Sequence, residues 1–170
     1  VEAYIGRSTT KKTRKAALKA VGLIFGNLQN AFHDGNNMTA RKNMLHASYY
    51  AGVAFTISYV GYVHAVAHSL GGRYNIPHGL ANAVLLPIVL RDYGSTIYRK
   101  LHELADAAGL SDASESDASA AEKFISAIEN MLDEFSLGRT LSGIRAEDIP
   151  ELARHADDEG NPLYPVPVLM

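Results

Sequence analysis

Three histidines, His64, His68 and His78, lie close together in a mostly apolar stretch of the chain. Neutral imidazole is the most common nitrogen ligand of protein-bound transition metals. His64 and His68 are four residues apart, so on a helix their side chains share one face. His78 follows the Gly71-Gly72 pair and lies in a Pro-His-Gly turn, so the chain can fold back and bring it to the same ion from another direction.

Two interpretations of these histidines stay open from spacing alone. Pairs with this spacing are common by chance, and a lone histidine is usually a hydrogen-bonded core or surface residue. We expect that ordinary role for the remaining four, His33, His46, His102 and His155. The small and apolar neighbours of His64 and His68 would make an unpartnered ring costly, whereas convergent neutral rings suit a divalent metal. His68 could instead carry protons beside the metal, because imidazole titrates near neutrality.

Composition narrows the class of protein. A chain of 170 residues can bury one good core, so a single domain is expected. The chain has no cysteine, so any metal site must use His, Asp or Glu. Its formal net charge is −2 with scattered basic residues, which argues against a nucleic-acid partner. The most apolar stretches, 51–60 and 80–90, are too short to span a membrane, and we expect a cytoplasmic protein. Because the chain does not begin with Met, we expect it to be a piece of a longer protein.

The hydrophobic pattern predicts an all-α, multi-helix bundle, because nothing alternates with the period of a strand. Helices are predicted over about 11–30, 40–58, 61–71, 80–90, 95–108, 119–135 and 148–155. Thr39 is the expected N-cap of the second of these, and Gly71-Gly72 the expected end of the histidine helix. The many small residues of 40–58 predict a helix buried in the middle of the bundle.

Several segments resemble the C-terminal, dehydroquinate synthase-like helical domain of the iron-containing (group III) alcohol dehydrogenases. Residues 41–55 are similar to the helix that precedes the family's metal helix. Residues 61–87, including the run His78-Gly79-Leu80-Ala81-Asn82, are similar to the family's C-terminal motif. Val1-Glu2-Ala3-Tyr4 and Asn161-Pro162 match two further family segments, so the resemblance covers most of the chain.

The resemblance implies a role for each matching residue. The family holds a divalent metal with one Asp and three His, and here His64 and His78 match two of those ligands. The other two ligands would lie just upstream of Val1. His68 matches a histidine near the nicotinamide and the substrate, assigned to proton relay or positioning, and Phe55 matches an aromatic residue that lines the substrate pocket.

The resemblance also implies an activity for the intact protein, namely hydride transfer between an alcohol and NAD or NADP. Fe²⁺ is the family metal, and Zn²⁺ accepts the same ligands. The substrate would be a small alcohol, aldehyde or keto compound, and the intact protein would be a homo-oligomer. The nucleotide-binding N-terminal domain has no counterpart in 1–170, which we expect to form one metal-binding and substrate domain. With two of four ligands, this chain alone should bind metal weakly and lack activity.

Other assignments remain open at this stage. On the same fold, a maleylacetate reductase, a glycerol dehydrogenase or a dehydroquinate synthase-like lyase would share these motifs. A helical interaction module without catalysis is an alternative of a different class.

Overall fold

The computed structural model describes every residue from Val1 to Met170 and contains helices but no strand, which confirms the predicted all-α bundle. Two short 3₁₀ turns, Gly94–Ile97 and Ala146–Asp148, precede α6 and α8. The helices are α1 Glu2–Ile5, α2 Lys11–His33, α3 Met38–Ser58, α4 Tyr62–Tyr74, α5 His78–Tyr93, α6 Tyr98–Ala108, α7 Asp117–Glu134 and α8 Ile149–Leu163.

The hydrophobic core lies among α1, α2, α5, α6 and α7. The short α1 is buried over its whole length and places Tyr4 and Ile5 in the centre of this core. Leu101 and Leu104 of α6 and Phe124 of α7 pack there with no exposed surface. On the other side of the molecule, α4 packs against α5 and α8. His64, His68 and His78 belong to α4 and α5.

The helix starts follow the capping residues of the sequence. The Thr10 side chain accepts a hydrogen bond from the Thr13 amide at the start of α2, and the Thr13 hydroxyl accepts one from the Thr10 amide. Such a capping box satisfies amides that a helix leaves without partners. The expectation of Thr39 as an N-cap is wrong, because Asn37 accepts the Ala40 amide and α3 begins at Met38.

The prediction that the small-residue helix lies in the middle of the bundle is also wrong. In α3 only Ala40, Ala47, Ala54 and Ser58 are buried. Leu45 is 70% exposed, so α3 uses its small residues as a narrow packing stripe and turns large apolar residues to the surface.

Both α4 and α8 extend beyond their predicted ends. The α4 helix continues through the Gly71-Gly72 pair to Tyr74, and Asn75 directly after it has the left-handed conformation common after helices. The α8 helix extends to Leu163, well beyond the predicted end at His155. The extension matters because it carries an acidic residue, Glu159, to the histidine helix.

No single helix is both long enough and apolar enough to cross a membrane. The pair α3 and α4 passes that test only when taken together, and the two are bent by 99° at their junction.

Candidate metal and substrate site

The histidine helix begins at a sharp turn. Tyr59 makes this turn with a φ of 62°, a value that residues other than glycine rarely adopt. Gly61 then precedes α4 and offers no side-chain cap, but Glu2 Oε1 accepts the Val63 amide at 2.8 Å. A Cβ atom at Gly61 would lie 2.8 Å from that same oxygen, so any larger residue there would displace the carboxylate.

The carboxylate of Glu2 also orients His64. Its Oε2 lies 2.5 Å from His64 Nδ1, and the Glu2 side chain is only 7% exposed. Since an ionised carboxylate can only accept hydrogen bonds, it favours the tautomer in which Nδ1 carries the hydrogen. The other ring nitrogen, Nε2, is then left with a free lone pair. Metal-binding histidines are commonly held in this way by a carboxylate on the opposite nitrogen.

The structure brings the three predicted histidines together. The ring centroids are 5.4 Å apart for His64 and His78, 5.2 Å for His68 and His78, and 6.0 Å for His64 and His68. His78 is the first residue of α5, so the cluster joins two helices as the turn at Pro77 predicts. Partial burial lowers the pKa of His78, and the neighbouring His64 and His68 rings lower it further. A neutral ring is the form that can bind a metal.

His68 has a carboxylate partner of its own. Its Nδ1 lies 2.7 Å from Glu159 Oε1, and the Tyr164 hydroxyl donates to the same carboxylate oxygen. Partial burial alone would raise the pKa of Glu159, but hydrogen bonds from Tyr164 and His68 hold it below its usual value. Glu159 is therefore ionised at neutral pH and acts as an acceptor.

The three rings are neighbours, but they do not form a complete metal cage. No group of three or more His, Asp or Glu side chains in Val1–Met170 has donor atoms placed to hold one ion. His64, whose Nδ1 lies beside Glu2, and His78 have neighbouring rings on two different helices, and Asn82 Nδ2 lies 3.1 Å from His78 Nε2.

An apolar cavity of about 450 Å³ opens beside His64. Of its 24 lining residues, 21 are hydrophobic, and they come mainly from α2, α3, α5 and α7. Phe55 lines it and is 49% exposed. Its volume falls in the range of small-molecule sites, roughly 300–1,000 Å³.

One polar atom on the wall of this cavity lacks a partner. Asn82 donates through Nδ2 to the His78 carbonyl oxygen at 2.9 Å, but its buried Oδ1 accepts no hydrogen bond. A buried acceptor without a donor is costly, and small-molecule sites typically combine an apolar wall with a few such polar groups.

His68 lines a second, polar pocket of about 460 Å³ between α4 and α8. Glu159 and Arg73 contribute to its wall. The histidine cluster thus separates an apolar cavity from a polar one.

Sequence reasoning missed Glu2 and Glu159. They lie 62 and 91 residues from the histidines they contact, so no local spacing could connect them. The sequence offered only an indirect indication of these carboxylates. A histidine that binds a metal through one nitrogen usually has a hydrogen-bond acceptor at the other.

The remaining four histidines have ordinary surroundings. His102 lies 2.8 Å from Asp117 and 3.0 Å from the Asp112 carbonyl oxygen, and His33 pairs with Glu134. His46 and His155 are exposed, and neither joins the cluster.

This chain is similar to known proteins in both sequence and fold. The family model described as "Fe-containing alcohol dehydrogenase family, C-terminal" matches residues 1–167. The 1,3-propanediol dehydrogenase of Klebsiella pneumoniae is 42% identical over 163 residues, which cover 95% of this chain and 42% of that protein. Alcohol dehydrogenase 4 of Saccharomyces cerevisiae (strain YJM789) is 38% identical over 158 residues, 92% of this chain and 40% of that protein.

The fold of this chain is similar to that of solved structures of related enzymes. A crystal structure of 1,3-propanediol oxidoreductase matches with a TM-score of 0.93 and 39% identity, covering 99% of this chain and 44% of that one. The chain therefore spans about two fifths of the length of these relatives.

Proposed function

Because this chain belongs to the iron-containing alcohol dehydrogenase family, whose C-terminal domain it matches, we propose that it supplies the metal and substrate domain of an NAD(P)-dependent alcohol dehydrogenase. The observation that carries the proposal is the pairing of His64 with His78 across two helices, with His64 held by Glu2. In the full-length protein, a nucleotide-binding domain would precede the single helical domain 1–170.

The metal ligands that this chain would supply are His64 and His78. Imidazole nitrogens suit Fe²⁺ and also Zn²⁺. When bound, a divalent ion supplies Lewis-acid polarisation of the alcohol or carbonyl oxygen. The role of Glu2 is to hold the His64 ring in one orientation and one tautomer.

His68 is proposed to lie near the nicotinamide and to relay or position a proton. Its ring stacks on His78 with an interplanar angle of 16°, while Glu159 holds Nδ1. Its Nε2 is then available to exchange a proton with a hydroxyl group.

The apolar cavity beside His64 is proposed to take the carbon chain of a small alcohol or aldehyde. Phe55 forms part of its wall, and Asn82 Oδ1 offers an acceptor near the hydroxyl end. Reduction of a keto acid such as maleylacetate would need a cationic partner for each carboxylate. The three polar residues on the wall of this cavity, Glu2, His64 and Asn82, include no Lys or Arg, which favours an uncharged alcohol.

The exposed apolar face of α3 supports a homo-oligomer. Met38 and Leu45 are each 70% exposed and Tyr49 is 66% exposed, and large exposed apolar patches often mark interfaces. A mass above that of one chain in light scattering of the full-length protein is expected, and a monomer would contradict it.

We propose the cytoplasm as the compartment, because a nicotinamide enzyme needs the cell's own dinucleotide pool.

The proposal is tested by replacing each histidine in the full-length protein and measuring metal content and alcohol oxidation together. His64→Ala and His78→Ala should lose both metal and turnover. His68→Ala should retain metal but lower kcat by roughly 10²–10⁴-fold. His33→Ala, which changes an exposed histidine far from the cluster, is the matched control and should change neither. Metal loss in His68→Ala equal to that in His64→Ala would refute the division of roles.

A further inference from the structure

The contact between His68 and Glu159 lies outside the set of residues that the proposed function uses as ligands. Glu159 belongs to α8, and the two side chains meet across the polar pocket between α4 and α8. Their side chains are 44% and 26% exposed. An isolated ion pair with such exposure usually contributes little to folding stability. A role in orienting His68 therefore depends on how firmly other contacts hold the two side chains in place.

Three consecutive residues of α8 fix the position of this contact. Glu159 binds His68, and the next residue, Gly160, lies so close to Tyr62 that a Cβ there would be 2.9 Å from two ring carbons. Asn161 Oδ1 then accepts a hydrogen bond from the Tyr62 hydroxyl. Because Tyr62 and His68 both belong to α4, the register between α8 and α4 is set on each side of Gly160.

A second hydrogen bond restrains the carboxylate itself. The Tyr164 hydroxyl, just beyond the end of α8, donates to Glu159 Oε1, the same oxygen that faces His68 Nδ1. The carboxylate is thereby held by two donors, and its rotation is limited. This is a supported contact rather than a chance meeting of two flexible surface side chains.

We propose that Glu159 is a positioning residue for His68. By accepting the Nδ1 hydrogen, it selects the tautomer whose Nε2 carries the lone pair. It also fixes the plane of the ring against His78. The catalytic consequence of this inference depends on the proposed function, whereas the tautomer and the hydrogen bond do not.

The first test measures the tautomer directly in the 170-residue chain. With ¹⁵N-labelled histidine, His68 Nδ1 should show the shift of a protonated, pyrrole-type nitrogen, and Nε2 that of a pyridine-type nitrogen. In Glu159→Ala the pattern should move toward the opposite tautomer, which free histidine favours in water. Glu159→Gln should keep much of the original pattern, because its amide oxygen can still accept from Nδ1.

The matched control is Asp158→Ala. Asp158 is a carboxylate on the same helix, and it pairs with Arg154 at 3.3 Å rather than with a histidine. It should leave the His68 spectrum unchanged. Tyr164→Phe, which removes one hydrogen bond to Glu159 and no carboxylate, should give an intermediate shift. A His68 spectrum that stays the same in Glu159→Ala would overturn the proposal.

The second test separates positioning from a merely structural role in the full-length enzyme. Glu159→Ala should lower kcat by roughly 10–100-fold, with KM and metal content close to wild type. In a His68→Ala background the same change should have no further effect on kcat, because the two residues act as one unit. Fully additive losses would refute a role through His68. If His68→Ala itself leaves kcat unchanged, the proposed role of His68 fails, while the spectra still decide the inference about Glu159.

Discussion

Asp148 shows how one buried carboxylate can join two distant segments. It accepts hydrogen bonds from the Tyr74 hydroxyl at 2.5 Å, from Arg73 at 2.8 Å and from Arg145 at 3.0 Å. Tyr74 and Arg73 end α4, whereas Asp148 lies directly before α8. The network therefore holds the start of α8 at the end of α4, far along the helix from Glu159.

The protonation of Asp148 should couple to folding. The Tyr74 hydroxyl, followed by the Arg73 and Arg145 guanidinium groups, holds the pKa of Asp148 far below its ordinary value. A carboxyl whose pKa is depressed by folding stabilises the protein above the unfolded pKa of about 3.9, and that contribution is lost as pH falls toward the folded pKa.

Asp148→Asn should accordingly lower Tm at pH 7, where the wild-type carboxylate is ionised in both states. The Tm difference should stay constant down to about pH 5 and shrink below about pH 4, because the wild type then loses the same interaction. Thermal unfolding followed by circular dichroism across this range is the measurement. Glu147→Gln is the control, since Glu147 is 70% exposed and lies 3.6 Å from Arg145. A Tm difference that does not depend on pH would exclude this coupling.

Among the helices, α2 and α6 approach each other unusually closely. A Cβ atom at Gly22 in α2 would lie 2.8 Å from the backbone oxygen of Ala107 in α6. A backbone oxygen cannot rotate away as a side chain can. Packing against α6 therefore favours glycine at position 22, even though alanine is the better helix former.

Gly22→Ala should destabilise the protein by on the order of 1 kcal/mol, because overpacking outweighs the gain in helix propensity. The same change one turn later, Gly26→Ala, should stabilise it by about 0.5–1 kcal/mol. Gly26 is exposed, and nothing lies within 4 Å of a Cβ atom there. Urea unfolding of the two variants gives the comparison, and equal effects of the same sign would contradict the packing argument.

The sequence predicted the type and order of the long helices, because apolar periodicity is a local property. The helix predicted over 119–135 is confirmed as α7, and it buries Phe124, Ile128 and Leu132. The same local rules failed at α4, where Gly71-Gly72 stay helical and the helix continues to Tyr74. They failed again for the length of α8, whose last turn packs against Tyr62.

At the scale of the whole molecule, the candidate site could be predicted only in part. Spacing within one segment and a turn made the grouping of His64, His68 and His78 one of two open interpretations, and the family resemblance favoured it. The two carboxylates that orient the rings come from α1 and α8, near opposite ends of the chain. Such contacts depend on how the complete bundle closes, which hydrophobic periodicity does not specify.

The arrangement of the bundle also determines what metal removal should do. The buried core cluster contains Tyr4, Leu90, Leu101, Leu104 and Phe124, and none of the three clustered histidines belongs to it. A metal at His64 and His78 would join α4 to α5, two helices that already pack together and are linked by a short turn. We therefore expect the isolated chain to keep its helical circular dichroism spectrum in EDTA, with Tm nearly unchanged.

Added Zn²⁺ can stabilise only by binding the folded state more tightly than the unfolded one, and a concentration of 100 times Kd would contribute about 2.7 kcal/mol. The rise in Tm with Zn²⁺ should disappear in His64→Ala and persist in His33→Ala. Loss of helix on chelation would mean that the metal is structural, and would contradict a core that folds independently of the histidine cluster.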